Sequence, residues 1–295
     1  MIVDKKYCMS SFLMFRCIAD ENRTFKFGYK PKMFHPDFNR YAIKTSRDIN
    51  EAIKLVLRDI IDEKTGIMLS GGIDSAILAK YMPAGTKAYT LKCVADGAID
   101  ETEKAKEFAD ICNLKHEIVE VYWDDYLKLT PQIMRHKGAP VHSIETQIYK
   151  AALQAKKDGI NKLVFGESAD VTFGGHDGLM SKDWTFEEFV NRYTYVMPDK
   201  VLKDPMFVLA PFEKYRKGDY IDFYAFVSEF YYSESVASYL NACSLAGVKF
   251  IAPFVHMKLN IPLDLERVRL GDSKYLVREL FNKLYPDCKM APKIP

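Results

Sequence analysis

Gly66-Ile67-Met68-Leu69-Ser70-Gly71-Gly72-Ile73-Asp74-Ser75 decides how the rest of the chain is read. Ile67 to Leu69 is an apolar run of the kind that forms a buried strand. It empties into a Ser-Gly-Gly turn. Asp74 and Ser75 then open an apolar-periodic helix through Ala76, Ile77, Leu78, Ala79, Tyr81 and Met82, which Pro83 stops. A strand, a glycine turn and a helix start together make an anion site. The glycines let backbone N–H groups approach phosphate oxygens, and the helix N-terminus carries partial positive charge. The stretch lacks the Gly-Lys-Ser/Thr of a Walker A loop and the G-x-G-x-x-G of a dinucleotide fingerprint. Two glycines alone would serve an ordinary strand-to-helix turn. The acid Asp74, placed to hold Mg²⁺ beside a phosphate, favours the nucleotide reading.

Outward from this stretch, strands and helices alternate. Upstream, Thr45-Ser46-Arg47-Asp48 gives a capping-box start to an amphipathic helix through Ile49, Ile53, Val56, Leu57 and Ile60, expected to end near Gly66. Downstream come a strand at Ala88–Val94, an acidic turn over Asp96 to Glu103, and a helix face of Ala105, Phe108, Ala109 and Cys112. A strand at Glu117–Val121, a broken helical region over 124–137, a helix over Glu145–Lys157 and a short buried strand at Leu163-Val164-Phe165 follow. This alternation predicts an α/β fold, a doubly wound parallel sheet with right-handed crossovers. Ligands of such sheets sit beyond the carboxyl ends of the strands. The turn after Leu69 and the loop Gly166–Gly178 are therefore expected on one rim.

The flanks are less regular. Residues 1–44 read as an irregular extension, and 45–295 as one domain with a sheet core over 60–180 and an appended helical part over 181–295. Residues 184–245 are dense in aromatic rings, with Phe223, Tyr224, Phe226, Phe230, Tyr231, Tyr232 and Tyr239 at helical spacing and no strand alternation. Such a stripe is first of all core. Phe250 to Phe254 reads as an apolar approach to a turn, and a last helix carries Tyr275, Leu276, Leu280 and Phe281.

Composition narrows the classes. Forty-eight per cent of the 295 residues are hydrophobic and 13% aromatic, which argues for a large packed core and against disorder. The 42 basic and 40 acidic residues are well mixed, and a net charge of +2 offers no steering toward nucleic acid or an anionic membrane. Six cysteines without a C-x-x-C pair read as reduced core residues of a cytoplasmic protein. The run Phe12–Phe15 is too short for a signal or membrane segment. His35, His116, His136, His142, His176 and His256 lack metal-ligand spacing.

A second constellation, Gly166-Glu167-Ser168-Ala169-Asp170-Val171-Thr172-Phe173-Gly174-Gly175-His176, sets two carboxylates three apart beside glycines. Alone it is a solvated acidic loop. On the same rim as Ser70–Ser75, its acids could hold Mg²⁺ on pyrophosphate or position an amine. The pattern S-G-G-x-D-S resembles the PP-loop of enzymes that cleave ATP between its α and β phosphates. The two loops together resemble the synthetase domain of the asparagine synthetase family. The acidic turn Asp100-Glu101, the stretch Pro253-Phe254-Val255-His256, and Lys274-Tyr275-Leu276-Val277-Arg278 are similar to motifs of that domain in the same order. Phe12 to Arg16 and Arg23 to Phe25 look like its connector.

The resemblance implies roles for individual residues. Ser70, Gly71, Gly72 and Ser75 would hold the ATP phosphates, and Asp74 and Asp170 would bind Mg²⁺. Met68, Leu91, Phe165 and Gly166 would line the adenosine site. Glu167 would act near the incoming amine, and Lys274 would stabilise charge developing during adenylation and acyl transfer. Val171 and His256 stand where the family carries acids, so aspartate is not assumed as substrate. Ile2 stands where such enzymes expose a catalytic cysteine, and the chain is expected to lack a glutaminase domain. The expected activity is an ATP-dependent, AMP- and pyrophosphate-forming amide ligase. Its partners would be a small-molecule carboxylate and ammonia or an amine, the nitrogen coming free, from a separate glutaminase subunit or from a substrate, with a homo-oligomer also allowed. A sugar acid or other specialised metabolite would suit a stand-alone domain. Two alternatives stand beside it: a PP-loop sulfur-transfer or tRNA-modifying enzyme, which would show a reactive cysteine pair or a basic face, and a catalytically silent nucleotide-binding subunit.

Overall fold

The computed structural model describes residues 1–31 and 40–288. At its centre five parallel strands run in the order β5-β4-β1-β2-β3, where β1 is Thr65–Met68, β2 Lys87–Cys93, β3 Lys115–Val121, β4 Lys162–Val164 and β5 Lys249–Ile251. All four residues of β1 are buried, and Ile67 lies beside Ala88 on one side and Val164 on the other. Alternate side chains feed two cores. Ile67, Leu69, Ala88 and Val164 pack with α2 (Ser46–Leu57), α3 (Ile73–Ala79) and the late helix Tyr275–Leu284. Met68, Tyr89, Val119 and Leu163 pack with α4 (Trp123–Lys137), α5 (Ser143–Lys157) and the helix Ala237–Ala246. The sheet is thus α/β, parallel and covered on both faces, which is why β1 reads as a continuous apolar run. Strand order reverses between β1 and β4, and such a reversal opens a crevice beyond the strands' carboxyl ends.

Capping chemistry sets the helix starts. The Thr45 hydroxyl accepts from Asp48 N while Asp48 accepts from the Thr45 backbone, the capping box expected there. The helix stops at Leu57, earlier than the expected end near Gly66, with Ile60 N and Ile61 N bonding back to Leu57 O.

Five other stretches differ from expectation. The irregular N-terminal reading misses a helix, α1, at Lys5–Phe15, capped by the Asp4 carboxylate, whose Met14 and Phe15 lie in the main core. Buried Ser10 and Ser11 obscure its pattern: Ser11 Oγ donates to Cys17 O and accepts from Ala19 N, so these polar positions face inward. Tyr41–Ile43 adds a strand beside Met257–Leu259, while His35 lies outside the described residues. The region over 124–137 is one helix that accommodates Pro131 without ending. Lys249–Ile251 is the edge strand β5, too short at three residues to show alternation. Within the aromatic region Arg216–Lys217 and Tyr220–Ile221 form a small antiparallel hairpin.

The end of that region is helical: Phe223–Tyr231, a π-helical turn at Tyr232–Val236, and Ala237–Ala246. Its rings are mostly core. Phe226 stacks on Phe212 at 4.8 Å and on Phe230 at 5.2 Å. Among the described residues all six cysteines are free, and no helix is long and apolar enough to cross a membrane.

Candidate active site

The Ser70–Ser75 turn is held open by its own hydroxyls. Ser70 N donates to Ser75 Oγ at 3.0 Å, and Gly72 N donates to Ser70 Oγ at 3.1 Å. Gly72 precedes α3 without a side-chain cap, which leaves the first-turn N–H groups facing the crevice mouth uncapped. An anion already uses the turn: Glu101 Oε2 accepts from Gly71 N at 3.3 Å. The acidic turn of 96–103 is therefore folded against the phosphate-type loop.

The second loop comes from β4 and touches the first. A Cβ on Gly166 would stand 2.9 Å from Ser75 N and 3.0 Å from Asp74 Cβ, so only glycine permits this approach. Gly175 closes the other end, where a Cβ would fall 2.8 Å from Lys274 Cδ. Lys274 then joins the loops. Its Nζ lies 2.7 Å from Asp74 Oδ2 and 3.1 Å from Asp170 Oδ1. Burial works against its charge, but the two carboxylates more than offset this and hold its pKa above the ordinary lysine value. The shared rim expected from topology is present.

Between the loops lies a cavity of about 430 Å³. Met68, Ser70, Asp74, Ser75, Leu91, Phe165, Gly166, Glu167 and Asp170 all line it. Gly71 and Gly72 lie on the turn beside it, and Lys274 reaches it through Asp74 and Asp170. Glu167 forms its inner wall. Its Oε1 accepts from Ser235 Oγ at 2.8 Å and from the Tyr231 hydroxyl. Burial raises the Glu167 pKa, against the lowering effect of the Tyr231, Ser235 and Tyr239 hydroxyls.

The sequence reading places Tyr231 and Tyr239 in the aromatic stripe as core and passes over Ser235. Tyr231, Ser235 and Tyr239 recur at a spacing of four, one face of a helical run, which is the signal that could have grouped them. The aromatic stripe therefore divides: Phe226 and Phe230 are core, while Tyr231 and Tyr239 turn to the site. Backbone strain marks the same place. Of the four described non-glycine residues with positive φ, Ser168 (77°) belongs to the second loop, Lys274 (52°) joins the two loops, and Arg16 (57°) lines the neighbouring cavity. Each such residue costs about 1–3 kcal/mol, and strain of this kind collects at functional sites.

The donor set also suits a hard divalent cation. Asp74 and Asp170 converge on one point of positive charge, and no cluster of three or more His, Cys, Asp or Glu metal ligands occurs among the described residues. Two carboxylates that leave further positions to phosphate oxygens and water match the way Mg²⁺ is bound with nucleotides.

Comparison with known proteins agrees with this architecture. Residues 47–244 match the family model described as asparagine synthase. A nodule asparagine synthetase (glutamine-hydrolyzing) from Pisum sativum is 28% identical over 178 residues, 54% of this chain and 30% of that protein. A probable asparagine synthetase (glutamine-hydrolyzing) from Dictyostelium discoideum is 22% identical over 198 residues, 59% of this chain and 36% of that protein. The chain thus spans about a third of the length of these relatives. Among solved structures, NMN synthetase from Francisella tularensis overlaps 45% of this chain and 59% of its own at 14% identity, with a TM-score of 0.32, too partial an overlap to bear on activity. With the family match running from the first helix of the α/β core to the helix before β5, this chain belongs to the asparagine synthase family.

Proposed function

We propose that the chain is an AMP- and pyrophosphate-forming amide ligase, with residues 45–295 as its catalytic unit and 1–44 as a connector. The observation that carries this reading is the meeting of three distant segments, Ser70–Ser75, Glu167–Asp170 and Lys274, around one cavity at the sheet's reversal point. ATP would lie with its phosphates on Ser70, Gly71, Gly72 and Ser75 and its adenosine against Met68, Leu91, Phe165 and Gly166. Asp74 and Asp170 would hold Mg²⁺, which supplies charge neutralisation on the pyrophosphate.

A carboxylate oxygen of the acyl substrate attacks the α-phosphorus, pyrophosphate leaves, and an acyl-adenylate forms. Lys274, fixed as a cation by its two carboxylates, faces the charge that develops on the transferred group. A nitrogen nucleophile then attacks the acyl carbon and AMP leaves, with Glu167 receiving a proton from nitrogen. A carboxyl group whose pKa is raised by burial is a better proton acceptor near neutral pH than an ordinary glutamate. The loop residue Val171 is fully buried, so it supplies packing where an acid would have supplied charge. The test is carboxylate-dependent exchange of labelled pyrophosphate into ATP over a panel of acids. Release of ADP in place of AMP would overturn the assignment.

A further inference from the structure

Behind Glu167 lies a second chamber of about 400 Å³, which shares Ile144, Gln147 and Tyr239 with the nucleotide cavity. Three segments build its far end. Arg16 follows the N-terminal helix in a left-handed conformation, His142 precedes α5, and Glu234 sits in the π-helical turn at Tyr232–Val236. A π-turn inside an α-helical run is rare and occurs mostly at functional sites. Here it carries Glu234 to one side while Tyr231 and Ser235 hold Glu167.

The chamber is polar. Glu234 Oε1 pairs with Arg16 at 2.8 Å, and the Tyr195 ring covers the guanidinium at 3.3 Å. His142, pushed down to about 4 by burial, Arg16 and Lys137, contributes no charge at neutral pH. Lys137 is committed to Glu145 at 2.5 Å in the buried wall. The carboxyl group of Glu234 thus faces the chamber beside Arg16, and Glu167, which lines the neighbouring cavity, stands behind the Tyr231 and Ser235 hydroxyls of the chamber wall. The Nε of Arg16 is buried and has no hydrogen-bond acceptor among the described residues, so an acceptor oxygen on a ligand would complete it.

Resting on the ligase reading, we propose that this chamber holds the nitrogen nucleophile as an organic ammonium of amino-sugar or amino-acid size, with Glu234 as counter-ion and Arg16 bonding a hydroxyl or carbonyl oxygen of its body. The volume decides against ammonia, which like water needs only about 30 Å³, whereas pockets of roughly 300–1,000 Å³ take whole metabolites. In the transfer step the ammonium gives one proton to Glu167, and the nitrogen lone pair forms the C–N bond. The acyl C–O bond then breaks with its electron pair to AMP, and the second nitrogen proton passes to Glu234.

Two measurements on the full chain test this. In calorimetric titrations with glucosamine, glycinamide and lysine, at least one amine binds, N-acetylglucosamine does not, and Glu234→Gln weakens that binding about tenfold or more, as for loss of one partner of a buried charge pair. The absence of binding by every amine, or equal binding by Glu234→Gln, overturns the proposal whether or not exchange is observed. With a carboxylate that supports pyrophosphate exchange, the same amine releases AMP at a lower KM than ammonium chloride. Glu234→Gln raises that KM about tenfold while the carboxylate KM in exchange moves far less, and Glu234→Asp recovers part of the loss. Ammonium serving as well as the best amine overturns the proposal. So does a Glu234→Gln effect confined to the exchange of amino-carboxylates, which would place the ammonium on the acyl substrate. Failure of exchange with every carboxylate overturns the ligase reading instead.

Discussion

The phosphate rim and the chamber behind Glu167 are built from different materials. The rim is backbone: consecutive residues of two loops, closed by Gly166 against Ser75 N and pinned by one lysine. The chamber is side chains from Arg16, His142 and Glu234, three distant points of the sequence, and it exists only because helices hold them in place. A rim of this kind keeps its chemistry through local sequence.

The largest expected effect breaks the chamber from beneath. Glu145 is fully buried between α4, α5 and the helix Ala237–Ala246. It accepts from Lys137 Nζ at 2.5 Å, His142 N at 2.9 Å and Asn241 Nδ2 at 2.9 Å. Glu145→Ala leaves a buried ammonium unpaired and is expected to lower unfolding free energy by about 3–5 kcal/mol in urea titration. Unchanged stability would mean that the chamber wall does not depend on this clamp.

Breaking the rim has a different signature. Lys274→Met removes the cation proposed to face developing charge and is expected to lower pyrophosphate exchange by ~10²–10³-fold, with the circular dichroism spectrum retained. A loss confined to ATP affinity would reassign Lys274 to ground-state binding.

A smaller effect separates the two regions by titration. Burial, helped by Glu167 and opposed by Arg16, raises the Glu234 pKa to about 7 in the folded protein. The folded state then holds this proton longer than the unfolded chain. The contribution is fully present below the usual glutamate range and is lost as pH rises to about 7. Thermal melting across that window should therefore show a falling component that Glu234→Gln removes. A slope unchanged in the variant would place the titration on another group.

Sequence legibility follows the same division. The S-G-G-x-D-S turn, its strand and the order of α and β elements are written in contiguous residues. The sheet and nine of the twelve expected site residues accordingly meet at one cavity. Glu101 on Gly71 was visible only as an acidic turn, because its bond depends on where the following helix lands. Arg16 and Glu234 were illegible as a pair, since nothing local connects the end of the first helix to a π-turn in an aromatic run. The buried serines of Lys5–Phe15 and the three-residue strand Lys249–Ile251 were hidden for a related reason: tertiary contacts, and not periodicity, decide them.

The most direct test of the ligase assignment is pyrophosphate exchange by the purified full chain with Mg²⁺, ATP and a panel of small carboxylates. The account predicts label entering ATP only when a carboxylate is present, with no amine required and with AMP as the nucleotide product once an amine is added. Nucleotide turnover that yields ADP and phosphate, or exchange indifferent to the carboxylate, would contradict it.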